Sequence, residues 1–265
     1  MNAIPRGRVP LERALSKLGL ASRTQARRWI LEGRMKVNGV IRRDPQFAVI
    51  PETARIEVLG GEGEAFAQPV VHIANAHFER RVLLLHKPSG VVTTRSDEKG
   101  RATVFSLLGA SGKDPDPAVH LHAVGRLDMA TTGLLLLTND TQLSSWLTDP
   151  NNAVPRVYLV TVRGEFADSQ ARRLETGVLS DGDRLKASRI QIRKPSRKET
   201  HLVVTLVEGK NREIRRMFEE CGHPVTRLKR VSYGNLELGD LAPGQSRELT
   251  SEEIASIAPG VPISR

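Results

Sequence analysis

Residues 60–64 read Gly-Gly-Glu-Gly-Glu, a run with almost no apolar side chain to bury and with charges that stay hydrated. Glycines and polar residues persist to about Ala76, so one core cannot run through this stretch. It splits the 265 residues into a short unit and a longer one, in keeping with the roughly 150 residues of an ordinary domain. The expected boundaries are 9–58 for the first unit, 59–79 for a linker, 80–250 for the second unit and 251–265 for a C-terminal tail. That tail carries Pro259 and Pro262 and is open to being ordered or frayed.

In the first unit Leu11, Ala14, Leu15 and Leu18 recur at helical spacing, and Gly19 stands where a left-handed residue closes a helix. Ser22 is placed to cap a second helix, which Gly33 ends. Asn38-Gly39 lies between two strand-like runs, a strong hairpin signal, and Val49–Val58 supplies a further strand or two. In the second unit Val82–His86, Leu134–Thr138, Tyr158–Arg163, Arg189–Arg193 and His201–Glu208 read as strands. Gln142–Thr148, Asp168–Glu175 and Arg212–Cys221 read as helices, and Gly109–Pro117 as a polar loop. Strands follow strands too often for a doubly wound sheet, so the expected class is α+β with a mixed sheet.

Composition narrows the setting. Hydrophobic residues make up 39% and charged residues 26%, enough apolar material for a packed core. The longest aliphatic runs are Val82–Leu85 and Leu134–Leu137, far short of the ~20 residues of a membrane span. A single cysteine, Cys221, leaves no internal disulfide and no cysteine-rich metal site, and the seven histidines lack ligand spacing. A soluble, cytoplasmic protein without a metal is therefore expected. Of the net charge of +10, residues 1–58 hold 12 basic against 5 acidic side chains, and residues 189–230 hold 12 against 5 again. Two basic islands on a slightly acidic remainder suit a polyanion, although a solvated basic surface would read the same. Aromatic residues at 4% argue against a stacking platform for single strands.

Residues 11–58 resemble the small S-four-like RNA-binding domain, or αL motif, through Leu15, Gly19-Leu20-Ala21-Ser22-Arg23, Ala26-Arg27-Arg28, Ile30, Gly33 and Val37-Asn38-Gly39. The resemblance implies RNA contacts from Ser22, Arg23, Arg27 and Arg28 at the first turns of the second helix. There helix N–H groups and guanidinium forks suit phosphates. A capped, solvent-facing basic helix is the plainer alternative.

Residues 125–140, Gly-Arg-Leu-Asp-Met-Ala-Thr-Thr-Gly-Leu-Leu-Leu-Leu-Thr-Asn-Asp, resemble the active-site signature of the pseudouridine synthases. His86-Lys87-Pro88-Ser89-Gly90, Arg156-Val157-Tyr158-Leu159-Val160 and Glu208–Phe218 resemble three further motifs in the family's order. The appended first domain and the Arg215-Arg216-Met217-Phe218 continuation are similar to the RsuA/RluB type, which modifies ribosomal RNA. The fold implied is a small RNA-binding domain followed by a catalytic domain on a mixed, mainly antiparallel sheet.

The resemblance also implies the chemistry. Asp128 would be the carboxylate acting where the uracil–ribose bond breaks and oxocarbenium character develops. Arg215 would pair with it, bidentate if geometry allows, against the pull of desolvation on its protonation. Tyr158 would pack on the uracil and help remove the C5 proton, or else be a core tyrosine. Arg126 would fill the space left by a flipped base or hold a phosphate, with a structural ion pair as the alternative. Lys210, Arg212 and Arg216 would meet phosphates. No cofactor is called for. The expected partner is ribosomal RNA, most of all of the large subunit, in free form or in subunit assembly intermediates, and the protein is expected to be a monomer. Small-subunit or transfer RNA, or a non-catalytic ribosome-assembly role, are the alternatives. Departures from the family pattern fall at Arg156, Asp149-Pro150 and Thr141.

Overall fold

A computed structural model describes residues 8–18, 20–21, 23–51, 53–59, 70–72, 80–95, 97–110 and 121–259. The first unit opens with β1 (Val9–Pro10), α1 (Leu11–Lys17) and α2 (Arg23–Leu31). It continues through β2 (Met35–Val37), β3 (Val40–Arg42), β4 (Ala48–Val49), β5 (Ile56–Val58) and β6 (Val70–His72). Leu11, Ala14 and Leu15 of α1 pack with Trp29 and Ile30 of α2 over Met35 and Ile56, all fully or nearly fully buried. The Asn-Gly hairpin forms as expected: Asn38 and Gly39 have φ of 51° and 79°, the pair of left-handed residues that a two-residue turn between twisted strands needs.

The helix-capping roles expected of Gly19 and Ser22 lie outside the described residues. One expectation needs correcting. Val70-Val71-His72 fall in the presumed linker, yet they form β6 and pair antiparallel with β5 in a sheet ordered β3-β2-β5-β6. Two β-branched valines are enough for a short edge strand, whatever the glycines before them suggest.

The second unit starts with β7 (Val82–Lys87), α3 (Val104–Ala110), β8 (His122–Ala123) and β9 (Thr132–Thr138). Then come α4 (Thr141–Thr148), a 3-10 turn at Pro150–Asn152, β10 (Arg156–Arg163), α5 (Asp168–Thr176), β11 (Val178–Ser180) and β12 (Asp183–Leu185). The chain ends through β13 (Arg189–Lys194), β14 (Glu199–Leu206), α6 (Glu213–Glu219), β15 (Val225–Tyr233), β16 (Leu236–Glu237), β17 (Ser246–Glu248) and α7 (Ser251–Ile257). The main sheet runs β13-β14-β10-β15-β9-β7-β17, with β8 on β9 and β16 on β15. Its pairings are antiparallel except β15 on β9, so the mixed, mainly antiparallel sheet is present.

Burial follows the residue pattern of each strand. The aliphatic runs of β7 and β9 are covered on both faces: Leu83, Leu85, Leu135 and Leu137 enter one core, and Val82, Leu84, Leu134 and Leu136 enter the other. In β14 a strict alternation buries Thr200, Leu202, Val204 and Leu206 and leaves His201 and Val203 only partly covered. The loop expected at 109–117 begins inside α3, and its remainder lies outside the described residues. The first seven residues of the expected tail are the helix α7, started by a capping box between Thr250 and Glu253. Among the described residues no helix is long and apolar enough to cross a membrane, and no cluster of three or more potential metal ligands occurs.

Candidate active site

The signature at 125–140 is long because most of it builds a loop and holds it still. Asp128 accepts the backbone N–H of Thr131 on its own carbonyl, 3.0 Å, closing a tight turn. On one flank Thr93 grips Leu127 twice, its hydroxyl donating to the carbonyl at 2.8 Å and accepting the N–H at 3.3 Å. On the other flank Gly90 donates to the Met129 carbonyl at 2.9 Å. Lys87, fully buried at the end of β7, sends its ammonium to the carbonyls of Thr131 (2.9 Å), Pro88 (3.0 Å) and Met129 (3.2 Å). Burial lowers its pKa to about 8, and the Asp128 charge works in the opposite direction.

Beyond the loop, Leu134–Leu137 are core strand and Asp140 caps α4, accepting from the N–H groups of Gln142 (2.8 Å) and Leu143 (3.0 Å). Arg80 holds that cap at 2.7 Å.

The Asp128 side chain stands about one-third exposed at the rim of a cleft of about 180 Å³. Arg126, Tyr158, Lys210, Arg212 and Arg215 line the same cleft, so most of the expected site residues converge. Arg215 Nε and Arg212 Nη1 both lie 3.7 Å from Asp128 Oδ2. The bidentate Arg215 fork expected from the sequence is thus replaced by two guanidiniums converging on one oxygen at ion-pair distance. Arg215 Nη1 is occupied elsewhere, donating to the Val225 carbonyl at 3.1 Å. Burial first, and Arg212 second, push the Arg215 pKa down, while Asp128 draws it up. Arg212 reaches this position from a left-handed backbone, φ 48°, immediately before α6. Its expected role on phosphates gives way to a place beside the carboxylate.

Arg216 is a second correction. Its side chain turns away from the cleft to the β11–β12 hairpin, 2.9 Å from Asp183, 3.4 Å from Asp181 and hydrogen-bonded to the Ser180 carbonyl. Those contacts occupy it inside the protein. Lys210 is likewise tied down, donating to the Arg184 carbonyl at 2.6 Å and lying 2.9 Å from Glu208. On α2, Arg23, Arg27 and Arg28 are exposed; Arg27 is 3.5 Å from Glu12 and Arg28 3.0 Å from Glu32. Arg156 is a buried strut donating to the Leu147 carbonyl (2.8 Å), the Tyr233 hydroxyl (3.0 Å) and the Val207 carbonyl (3.1 Å).

Sequence alone assigns no role of their own to Glu213 and Arg230, and Thr131 enters it only within the 125–140 signature. Thr131 Oγ1, Arg215 Nε and Arg230 Nη2 are buried, belong to residues lining the cleft and have no hydrogen-bond partner among the described residues, while the Glu213 carboxyl meets that of Glu208. Arg230 is fixed by a 2.7 Å bond from Nε to the Leu134 carbonyl and lies 5.0 Å from the Tyr233 ring. Buried polar atoms are nearly always paired, so three orphans around one cleft define a surface made for something with its own donors and acceptors. Beside them Tyr158, nearly buried, offers a flat apolar wall. The arrangement can seat a planar polar ring next to a carboxylate.

Glu213 makes a test of this electrostatics. Burial, reinforced by the neighbouring Glu208 carboxyl, raises its pKa to about 7, while the Lys210 N–H bonded to Oε2 at 3.0 Å opposes the rise. A carboxyl whose folded pKa lies above its unfolded one stabilises fully below the unfolded value and loses that contribution as pH climbs through the folded one. Glu213→Gln removes the titration and keeps an acceptor for Lys210. The variant should match wild type near pH 5 and melt about 2–4 °C higher at pH 8, the shift of roughly 1 kcal/mol in a chain of this size. A melting difference that stays flat from pH 5 to pH 8 would contradict the raised pKa.

Residues 81–220 match the family described as RNA pseudouridylate synthase, and residues 9–53 match the S4 domain. An uncharacterized RNA pseudouridine synthase of Aquifex aeolicus is 36% identical over 251 residues, covering 94% of this chain and 93% of that one. The ribosomal large subunit pseudouridine synthase B of Bacillus subtilis is 35% identical over 246 residues, covering 92% and 93%. A crystal structure of a pseudouridylate synthase superposes with a TM-score of 0.63 at 27% identity, over 94% of this chain and 99% of that one.

Proposed function

The chain belongs to the RNA pseudouridylate synthase family, and from that premise we propose that it isomerises a uridine of large-subunit ribosomal RNA, with Asp128 acting at the ribose. The relative of Bacillus subtilis named for the large ribosomal subunit supports the substrate. The observation that carries the site is the Asp128 carboxylate, held between Arg212 and Arg215 at the mouth of a cleft lined by unpartnered polar atoms.

Isomerisation breaks the bond from uracil N1 to ribose C1′ and makes one from C5 to C1′; the C5 proton leaves and N1 gains one. The target base must first leave its stack, at a few kcal/mol, and Arg126, exposed beside the carboxylate, is suited to the vacated space or to a phosphate. Asp128 meets the positive character at C1′. Lys87, Arg212 and Arg215 place positive charge around the carboxylate. Tyr158 packs on the ring and takes part in removing the C5 proton. Arg23, Arg27 and Arg28 of α2 hold RNA phosphates, with Ser22 assigned to the same helix start. In this reading residues 9–58 bind RNA and residues 80–250 carry the reaction, on a monomer in the cytoplasm.

The test is a map of pseudouridines by carbodiimide modification and primer extension in ribosomal RNA. Cells lacking the protein are compared with cells rescued by wild type or by Asp128→Asn. One large-subunit uridine restored by wild type alone is the expected result. A restored site in small-subunit RNA would move the substrate. No changed site in either RNA, with tritium released from C5-labelled transfer RNA, would move it further.

A further inference from the structure

The second basic island does not end at the catalytic cleft. Where β13, β14, β10 and β15 lie side by side, α5 and α6 contribute to the core on one face of the sheet; the other face holds a groove of about 690 Å³. Its floor is aliphatic and includes Leu159, 47% exposed, a large figure for a leucine at mid-strand in a sheet. Around that floor stand Arg193 of β13, His201 of β14, and Arg227 and Lys229 of β15; among the described residues no carboxylate lines the groove. Arg193 and Arg227 are exposed and Lys229 half-buried. The nearest acidic neighbour of this set, Glu199, is 3.4 Å from His201 Nε2 and addresses that imidazole.

Sequence alternation puts this groove on the face opposite Tyr158, since Leu159 is its neighbour in β10. The two faces still share a border. Ser89, Ala130 and Thr132 edge the groove, while Arg126, Asp128 and Thr131 edge the cleft, so the loop that presents the carboxylate separates them.

Arg227 and Lys229 stand two residues apart on one face of β15, and Arg193 faces them across the groove from β13, three strand steps or roughly 14 Å away, a spread that suits several phosphates of one backbone better than any single anion. The apolar floor between them suits riboses and exposed base faces. We propose that this open sheet face is a second RNA track, holding a segment of the substrate other than the one that enters the cleft, through Arg193, Arg227 and Lys229. The proposal rests on RNA being the substrate.

The full chain carrying Arg193→Gln, Arg227→Gln and Lys229→Gln together is compared with wild type for binding to deproteinised large-subunit ribosomal RNA across a salt series. A control variant, Arg172→Gln with Arg173→Gln and Lys186→Gln, removes the same charge from exposed positions outside that basic island. At ~0.7 counterions per single-strand phosphate contact, loss of three contacts should shallow the log–log salt slope by about 2 and weaken low-salt binding on the order of tenfold. The control should keep the wild-type slope, and circular dichroism should show all three proteins folded. A groove variant with the wild-type slope overturns the proposal. If that unchanged slope came with lost retention on the intact ribosomal subunit, the face would belong to a protein partner. Tritium release from C5-labelled RNA by wild type is measured alongside, so a wrong function would show there and a wrong surface in the slope.

Discussion

Asp128→Asn should abolish isomerisation, by about four orders of magnitude or more, the scale on which loss of a reacting group acts, while RNA affinity stays within a few-fold of wild type. The asymmetry follows from the surroundings of the side chain. Asparagine has the same shape and can keep the turn with Thr131, which uses backbone atoms alone. The loop itself is held by Lys87, Gly90 and Thr93, none of which bonds to the carboxylate. Only the negative charge disappears, and with it the group able to meet a developing cation at C1′. The charge that remains nearby, from Arg212, Arg215 and Lys87, is then uncompensated. Because RNA is a polyanion, any change in binding should be a slight tightening. Filter binding and tritium release on one preparation separate the two effects. Parallel loss of affinity and activity would make the aspartate structural.

Legibility from sequence tracked how far each residue obeyed the ordinary rules of its element. Leu134–Leu137 and the alternating β14 could be read directly, because burial on two faces or one leaves a matching pattern. The strand β15 could not. Arg227 and Lys229 lie on the groove face and Arg230 is buried, so three cations interrupt what is structurally a nine-residue central strand. The site divides the same way. Asp128, Tyr158 and Arg215 stand in motifs, and resemblance pointed to all three. Lys87, Glu213 and Arg230 are charged residues inside the protein, against the strong expectation that such side chains stay outside. Nothing in local periodicity signals a lysine whose hydrogen bonds run to carbonyls more than forty residues away. Arg216 misled for the converse reason: the signal placed it on the right helix, and only the β11–β12 hairpin decides where its guanidinium goes.

The costliest single methyl group in the second unit should be the one added by Gly133→Ala. Gly133 follows Thr132 in the short parallel pairing of β9 with β15 and lies opposite Arg230. Its φ is +106°, which side-chain-bearing residues rarely adopt, and a Cβ there would overlap the Arg230 carbonyl oxygen and lie 2.7 Å from its nitrogen. Both obstacles are backbone, so no side-chain rotation relieves them. Strain and overlap together should cost about 3 kcal/mol, lowering Tm by roughly 6–12 °C. Activity should fall as well in the protein that remains folded, because pushing β15 away shifts Arg230 and Leu228 in the cleft wall. Gly244→Ala separates the two causes: its φ of +83° imposes comparable backbone strain, but open space surrounds the added Cβ. That variant should lose about 1 kcal/mol and keep full activity. If the two alanines destabilise equally, the close approach of β9 to β15 is not what requires glycine at 133, and the cleft wall tolerates more slack than its hydrogen bonds imply.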